Sequence, residues 1–346
     1  MNERRRHTRI GVLELERHNF LILLVAGSLA LAAAMGLADM AGYRALYDAV
    51  QEIVPTWFAV CFGGQVVAYL GYVLAVRDNA RVEGGPLLSL RLSMRTVVAG
   101  FGVFAATHAA GGFSVDYWTF RRSGLRRQEA VARVLALGAL EYAVLAPAAM
   151  ICAVVILFGT GGHVQHAMTY PWLAVVPGFL AALWVSAPKR AQRFTHPPAA
   201  AGRVRQWFAH VVLGFCKLRT LVSSPRVHGL GVAGVSLYWF GDIACLWAAL
   251  KIYNAELSTP ALILAYATGY VLTRRSLPAG GAGLVEVMMT FALVWVGVGL
   301  APALLGVVTY RLFNFWLPII PAFAALPAVR RMRQDFRRGE KAFDRR

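Results

Sequence analysis

Charged residues are scarce in this sequence. They make up 15% of its 346 residues, while 58% are hydrophobic. A soluble globular domain carries about 25% charged residues, so this balance excludes a water-soluble globular protein and predicts a membrane protein. Acidic residues are the scarcer of the charged residues. The sequence has 17 acidic and 35 basic residues, which gives a formal net charge of +18.

Such a basic excess indicates nucleic acid binding in a soluble protein. Multi-pass membrane proteins, however, retain Lys and Arg on the cytoplasmic side, next to anionic lipid. We therefore predict contact with the anionic inner leaflet and no nucleic acid partner.

Motifs for metal, nucleotide or covalent chemistry are also lacking. None of the four cysteines belongs to a CxxC pair, so neither a disulfide framework nor a zinc site is predicted. Gly229, Gly231 and Gly234 match GxGxxG, but they lie in an apolar span without a preceding strand. Close helix packing explains them better than a dinucleotide does. We expect no cofactor, no metal and no ATP site.

Long hydrophobic runs are abundant instead. A membrane-spanning helix needs about 20 apolar residues. Six runs reach this length: 19–38, 55–76, 134–158, 169–187, 227–250 and 303–328. The first follows three arginines and resembles a signal peptide, but its length favours an uncleaved helix. The sequence thus predicts an all-α, polytopic helical membrane protein with about six full spans in a single transmembrane domain over 1–346.

The distribution of basic residues predicts the topology. Thirty of the 35 basic residues fall in five segments, which are 1–18, 77–95, 113–133, 187–226 and 327–346. The positive-inside rule places all five in the cytoplasm. We expect a bacterial-type inner membrane, with a basic N-terminus over 1–18 and a basic tail over 329–346 both cytoplasmic.

Two further apolar stretches are interrupted by glycines. Residues 96–115 contain Gly111 and Gly112 and are flanked by basic segments on both sides. A re-entrant hairpin from the cytoplasm avoids exporting the arginines that follow. Residues 258–301 begin and end outside by the same topology, either as two full crossings or, as we favour, as a hairpin that turns near 278–283. The sequence therefore has eight to nine hydrophobic segments.

The two interrupted stretches resemble each other. Each has two adjacent glycines, then an acid, then a span with a further charged residue and a proline. Hairpin and span would thus occur twice with opposite orientation, which predicts an inverted repeat with halves 19–158 and 227–328. The alternative is coincidence, because the chain has 33 glycines.

The segment 187–226 between the halves has eight basic and no acidic residues, with apolar residues at helical spacing. We predict a cytoplasmic basic amphipathic linker helix on the inner leaflet, with a solvated loop as the alternative.

Ionisable residues at membrane depth are the candidate functional residues, because each is costly in an apolar environment. They are Asp116, Glu141, Asp242, Arg274, Arg275, Glu286 and Arg311. One interpretation is a set of structural salt bridges. The functional one is that the arginines and the backbone amides of a turn containing Gly280, Gly281 and Gly283 hold a phosphate, while the acids balance charge.

The stretch 277–286, LPAGGAGLVE, followed about 25 residues later by Tyr310-Arg311-Leu312 in the final span, carries a family resemblance. It resembles the transmembrane region of lysylphosphatidylglycerol synthases, the flippase region of the multiple peptide resistance factor. The first half is less similar, because Tyr142 stands where the family has an arginine after the acid that Glu141 matches.

The resemblance implies a flippase that moves a phosphate-containing lipid, aminoacylated or polyprenyl-linked, between leaflets. The chain ends about 20 residues after the last span, without the aminoacyltransferase domain of larger members, so we expect no enzyme. The expected partners are an anionic or aminoacylated lipid, or a lipid-linked phosphate, and a second copy of the chain in a homo-oligomer. The alternatives are an integral-membrane transferase that uses a lipid-linked donor and a lipid-binding scaffold without transport.

Overall fold

The structure is a computed structural model that describes residues 21, 24–106, 111–159, 166–195, 203–271 and 281–321. Regular structure in these ranges is entirely helical, which confirms the all-α prediction. The helices are α1 Leu24–Ala41, α2 Tyr43–Gln51, α3 Thr56–Arg81, α4 Leu90–Ala106, α5 Gly111–Arg122, α6 Arg127–Phe158, α7 Tyr170–Leu173, α8 Val175–Val185, α9 Pro188–Thr195, α10 Arg203–Ser223, α11 Pro225–Ile252, α12 Thr259–Tyr266, α13 Leu284–Trp295 and α14 Leu300–Arg311.

Five helical segments are long and apolar enough to cross a membrane: Leu24–Ala41, Thr56–Gly84, Arg127–Phe158, His228–Ile252 and Leu300–Pro321. Large apolar side chains on these segments point outward, and Phe240, for example, is 68% exposed. An apolar exterior of this kind suits lipid rather than water. The prediction of a polytopic helical membrane protein is therefore confirmed.

The predicted fourth span, 169–187, differs from the other five. It forms α7 and α8, which together make the shorter apolar helix Tyr170–Val185. Pro171 lies in the first turn of α7, and Pro188 starts α9. Because proline favours the first turn of a helix and disrupts its interior, these two residues keep the apolar segment short.

Helices α3 and α11 make the most extensive helix contact of the described residues. They run antiparallel, with Gly64 against Gly241 and Gly71 against Gly234. A Cβ atom on Gly71 would lie 2.5 Å from the carbonyl oxygen of Gly234, so only glycine permits this approach. Close backbone packing of this kind drives helix association in lipid, where the hydrophobic effect does not. We call this contact the α3–α11 seam. Two of the three glycines of the GxGxxG match, Gly231 and Gly234, pack against α3 in it.

One end of the bundle, which we call the basic end, contains the end of α3, the starts of α6 and α11, and the linker helices α9 and α10. Lys217 of α10 forms an ion pair with Glu83, just after α3. Arg133 of α6 donates from Nη2 to the carbonyl oxygen of Val82 at 2.6 Å. The described part of the linker forms α9 and α10, and α10 packs against α6 and α11. Its position on the inner leaflet stays a prediction.

Helices α4 and α5 form an antiparallel hairpin that starts and ends at the basic end. The hydroxyl oxygens of Thr96 and Thr119, one on each arm, are 3.0 Å apart and share a hydrogen bond. The first predicted interrupted stretch is thus a helical hairpin; its turn before Gly111 lies outside the described residues.

A second hairpin starts from the opposite end of the bundle. Its first arm is the 8 residues of α12 plus a π-helical continuation of 5 residues, Ala267–Val271, and its second arm is the 12 residues of α13. A Cβ atom on Gly269 would lie 2.6 Å from Cα of Met289, so the arms pack closely. The second arm and the described part of the first arm are each about 20 Å long, shorter than the hydrocarbon core of about 30 Å.

The two halves of the chain repeat the same order of elements. The series of α3, the α4–α5 hairpin and α6 is followed by α11, the α12–α13 hairpin and α14. An offset of 170 residues relates Gly64 to Gly234 and Gly71 to Gly241. Because these two glycine pairs also contact each other across an antiparallel seam, the halves have the opposite orientations that an inverted repeat requires.

Candidate functional site

The carboxylate of Asp242, in the middle of α11, has no exposed surface. Four side chains donate hydrogen bonds to it. Gln65 Nε2 and Asn314 Nδ2 donate to Oδ1 at 2.7 and 2.5 Å, while the hydroxyls of Tyr266 and Tyr310 donate to Oδ2, the latter at 2.9 Å. We call these five residues the Asp242 cluster. Since a carboxylate has about four lone-pair sites, the protein itself satisfies this one.

Asp242 was a sequence candidate for substrate binding, or alternatively for a salt bridge. In the described residues all four of its hydrogen-bond donors are uncharged. The cluster joins α3, α11, α12 and α14, so it fastens the second hairpin to the final span. Tyr310 and Asn314 also lie on either side of Arg311 in the sequence, and their fixed positions orient the helix that carries the arginine.

Arg311 and Glu286 form the ion pair of the site. Arg311 Nε donates to Glu286 Oε1 at 2.8 Å, and the two residues are 1% and 3% exposed. The guanidinium carbon lies 4.4 Å from the centre of the Phe315 ring, on the next turn, which adds a cation–π contact. Of the sequence candidates, these two are brought into direct contact.

The glycine turn holds the other oxygen of Glu286. The backbone N–H of Gly283 donates to Glu286 Oε2 at 2.6 Å, so the carboxylate also caps the start of α13. Gly281 and Gly283 have φ angles of 68° and 88°, in the left-handed region that favours glycine. Gly280, Arg274 and Arg275 lie outside the described residues.

Helix α1 covers this turn. A Cβ atom on Gly283 would lie 3.1 Å from the carbonyl oxygen of Leu29 in α1. Arg311 is also the twelfth of the 22 residues of the span Leu300–Pro321. The ion pair is therefore near the middle of its span and enclosed by protein, the position in which an intramembrane charge is tolerated.

The first half has two acids at the corresponding positions. The offset of 170 residues relates Asp116 to Glu286 and Glu141 to Arg311. Asp116 and Glu141 are 5% and 1% exposed. An ion pair in the second half thus corresponds to two carboxylates in the first, so the site is chemically asymmetric although the elements repeat.

Trp239 links Glu141 to the Asp242 cluster. Its indole Nε1 donates to the backbone carbonyl of Glu141 at 2.9 Å, and its ring centre lies 5.9 Å from that of Tyr266. Tyr266 in turn packs edge-on against Tyr310. This aromatic series connects the polar residues of the two halves through the core.

Sequence reasoning missed the neutral members of the cluster, Gln65, Tyr266 and Asn314. Gln65 and Asn314 are uncharged polar residues in the middle of apolar spans, and that is the signal that identifies them. Buried polar side chains need partners, so each such residue points to a contact with another helix.

Comparison with protein families finds a match over most of the chain. No curated protein matches the chain. The family model of the lysylphosphatidylglycerol synthase TM region matches residues 20–322, which include every helix described above and all the sequence candidates. The chain is therefore a multi-pass membrane protein that belongs to the lysylphosphatidylglycerol synthase transmembrane-region family.

Proposed function

We propose that the protein moves a lipid with a phosphate-containing headgroup between the leaflets of the inner membrane, with both termini in the cytoplasm. The observation that carries the proposal is the Arg311–Glu286 ion pair, buried in mid-span beside a glycine turn. The family of the chain supports a lipid-related role, which is compatible both with lipid transport and with a transferase reaction on a lipid.

An arginine in mid-span is expensive to bury, and its planar fork of donors matches phosphate oxygens. Glu286 supplies one carboxylate to that fork at 2.8 Å. A lipid phosphate offers similar oxygens and can take the place of the carboxylate. In this mechanism Glu286 keeps Arg311 neutralised while no lipid is bound, and Gly283 holds Glu286 in position.

The hairpins provide the movement. The second arm of the α12–α13 hairpin has 12 residues and is about 18 Å long, too short for a full crossing, which favours the re-entrant interpretation over two further spans. Two hairpins from opposite ends, each of which follows one helix of the antiparallel α3–α11 seam, fit the inverted repeat of an alternating-access transporter. The headgroup would pass between the hairpins while the acyl chains remain in the bilayer.

Arg274 and Arg275 belong to the same proposal. They precede the glycine turn by a few residues, and together with Arg311 they are the basic residues that the predicted topology leaves unexplained. We propose that they contact the headgroup as it approaches Arg311, with the amides of Gly280, Gly281 and Gly283. Glu141 and Asp116 would balance the positive charge from the first half.

The test is lipid flipping in vesicles of phosphatidylethanolamine and phosphatidylglycerol that contain acyl-labelled fluorescent phosphatidylglycerol. Dithionite quenches only label in the outer leaflet, so flipping appears as quenching beyond the outer half. For the wild type we expect this additional quenching as a second phase after the outer leaflet is quenched. In the double variant R311Q/E286Q the second phase should be at least roughly tenfold slower, because charge-assisted contacts to the phosphate are lost.

The double variant is preferred to R311A because removal of one member would leave a buried charge unpaired and endanger folding. R126Q is the matched control, since Arg126 is an exposed arginine at the start of α6. Equal rates for wild type and double variant would contradict the proposal. A new lipid product in the same vesicles would instead favour the integral-membrane transferase, and bound lipid with neither activity would favour the scaffold.

A further inference from the structure

The short apolar helix α8 is loosely attached to the bundle. It contains no buried residue. A Cβ atom on Gly178, in its first half, would meet nothing within 4 Å, and Leu180 is 59% exposed. Because so apolar a surface is unstable in water, lipid must cover α8 along most of its length.

Two arginines from different helices meet at the C-terminal end of α8. Arg190 of α9 donates from Nη1 to the carbonyl oxygen of Trp184 at 3.4 Å. Arg219 of α10 donates from Nη1 to the carbonyl oxygen of Leu183, also at 3.4 Å. Consecutive carbonyl oxygens of a helix are roughly 3.5 Å apart, so the two Nη1 atoms lie within about 10 Å of each other. One phosphate group can reach both guanidinium groups across such a distance.

Protein carboxylates do not neutralise this pair of arginines. Both side chains are exposed, and neither forms an ion pair with a carboxylate in the part of the chain that the structure describes. Their segment, 187–226, has no acidic residue, and Glu83, which contacts α10, is paired with Lys217. Each arginine uses one donor to cap α8 and directs the rest of its fork away from the helix end. The other donors can therefore bind an anion outside the protein.

Trp184 marks the boundary between the apolar and the polar part of this region. Its side chain is 56% exposed, and the guanidinium carbon of Arg190 lies 4.2 Å from the centre of its ring. Before it the chain is apolar, whereas α9 begins with Pro188, Lys189 and Arg190. Tryptophan prefers the membrane–water interface, where its ring meets lipid and its N–H meets water. The two arginines thus lie at the depth of the lipid headgroups.

We propose that Arg190, Arg219 and Trp184 bind the headgroup of a phospholipid with net negative charge, whose acyl chains lie along α8. The two guanidinium forks hold the phosphate oxygens in charge-assisted hydrogen bonds, and Lys189 adds positive charge. Basic groups at the cytoplasmic ends of membrane helices recognise anionic headgroups in this way. Because the site is on the outer surface, its lipid exchanges with the surrounding bilayer, unlike a headgroup enclosed near Arg311. The proposal does not rest on lipid translocation.

Photolabelling in vesicles tests this site without transport. The protein in phosphatidylcholine vesicles receives a trace of phosphatidylglycerol or phosphatidylcholine with a diazirine in one acyl chain, and labelled residues are mapped by mass spectrometry. In the wild type the phosphatidylglycerol probe should label residues 175–195 roughly fivefold more than the phosphatidylcholine probe, whose positive choline meets the same cations. Both probes should label the exposed Phe240 equally. In R190Q/R219Q the two probes should label 175–195 equally.

R126Q/R205Q is the matched control, because it removes the same charge from two exposed arginines. Arg205 lies about 20 Å along α10 from Arg219, so the control should keep the wild-type preference. Equal labelling of 175–195 by the two probes in the wild type would overturn the proposal, and this comparison does not depend on the folding of a variant. A preference that persists in R190Q/R219Q would also overturn it. So would the absence of label over 175–195 with either probe, the result expected if a second copy of the chain covers α8.

Discussion

Asp242 and Asp78 are both buried on the α3–α11 seam, but their surroundings differ. Asp242 accepts four hydrogen bonds from side chains of three other helices. Asp78 accepts one from a backbone N–H, and its Oδ1 has no hydrogen-bond partner among the described residues. A satisfied buried carboxylate fixes the elements around it. An incompletely satisfied one holds the elements around it less firmly.

The largest expected effect comes from D242N. An amide in place of the carboxylate has an NH₂ group where one oxygen was. This group then faces two donors, either the amides of Gln65 and Asn314 or the hydroxyls of Tyr266 and Tyr310. We expect a loss of about 3 kcal/mol in the free energy of unfolding, because buried donors lose their acceptor. Thermal unfolding in detergent measures this, with D39N, an exposed change on α1, as the control. A Tm close to the wild-type value would show that the Asp242 cluster does not hold the bundle.

The seam that both aspartates share is the next target. G71A places a methyl group 2.5 Å from a carbonyl oxygen of α11, so the helices must separate at a cost of about 1–3 kcal/mol. G63A is the matched control, because a Cβ atom there meets nothing within 4 Å. Unfolding of both variants is compared by intrinsic tryptophan fluorescence. The seam would lose its assigned role if the two variants proved equally stable.

Removal of one of the four donors to Asp242 should cost less. Y266F deletes one hydroxyl and leaves three donors, so we expect about 1 kcal/mol in the free energy of unfolding. The measurement is the same unfolding transition. Y47F, at an exposed tyrosine of α2, should have no effect. A loss of unfolding free energy as large as that of D242N would contradict the expectation that each hydrogen bond of the cluster contributes a part of its stability.

The smallest effect is expected for D78N at pH 8. Its amide oxygen can still accept from the backbone N–H of Gly231. Its NH₂ group can donate to Nδ1 of His228, which lies 3.7 Å from Asp78 Oδ1 and has no hydrogen-bond partner among the described residues. We therefore expect a change within about 0.5 kcal/mol, in contrast to the same substitution at Asp242. Comparison of the two Asp→Asn variants at pH 8 provides the measurement. A loss as large as that of D242N would remove the distinction between the two sites.

Much of the fold follows from composition and from the positions of the basic residues. Apolar runs predicted the spans because lipid requires continuous helices of defined length. The ends of the helices were less predictable. The apolar run of α3 ends at Val76, but the helix continues to Arg81, and this extension carries Asp78 to the seam.

The candidate site was predictable where charge marked it. Glu286 and Arg311 stood out as ionisable residues in an apolar environment, and they form an ion pair. The partners of Asp242 did not stand out, because they are neutral side chains and Gln65 is 177 residues distant in the sequence. Contacts of that range depend on helix packing, which a single sequence does not contain.

Binding of a phospholipid near Arg311 is the central claim, and native mass spectrometry of the protein released from detergent micelles tests it directly. We predict that the wild type and R126Q retain phosphatidylglycerol in preference to diacylglycerol, which lacks the phosphate, and that R311Q/E286Q loses this preference. Equal retention of both lipids by the wild type, or an unchanged preference in the double variant, would contradict the claim.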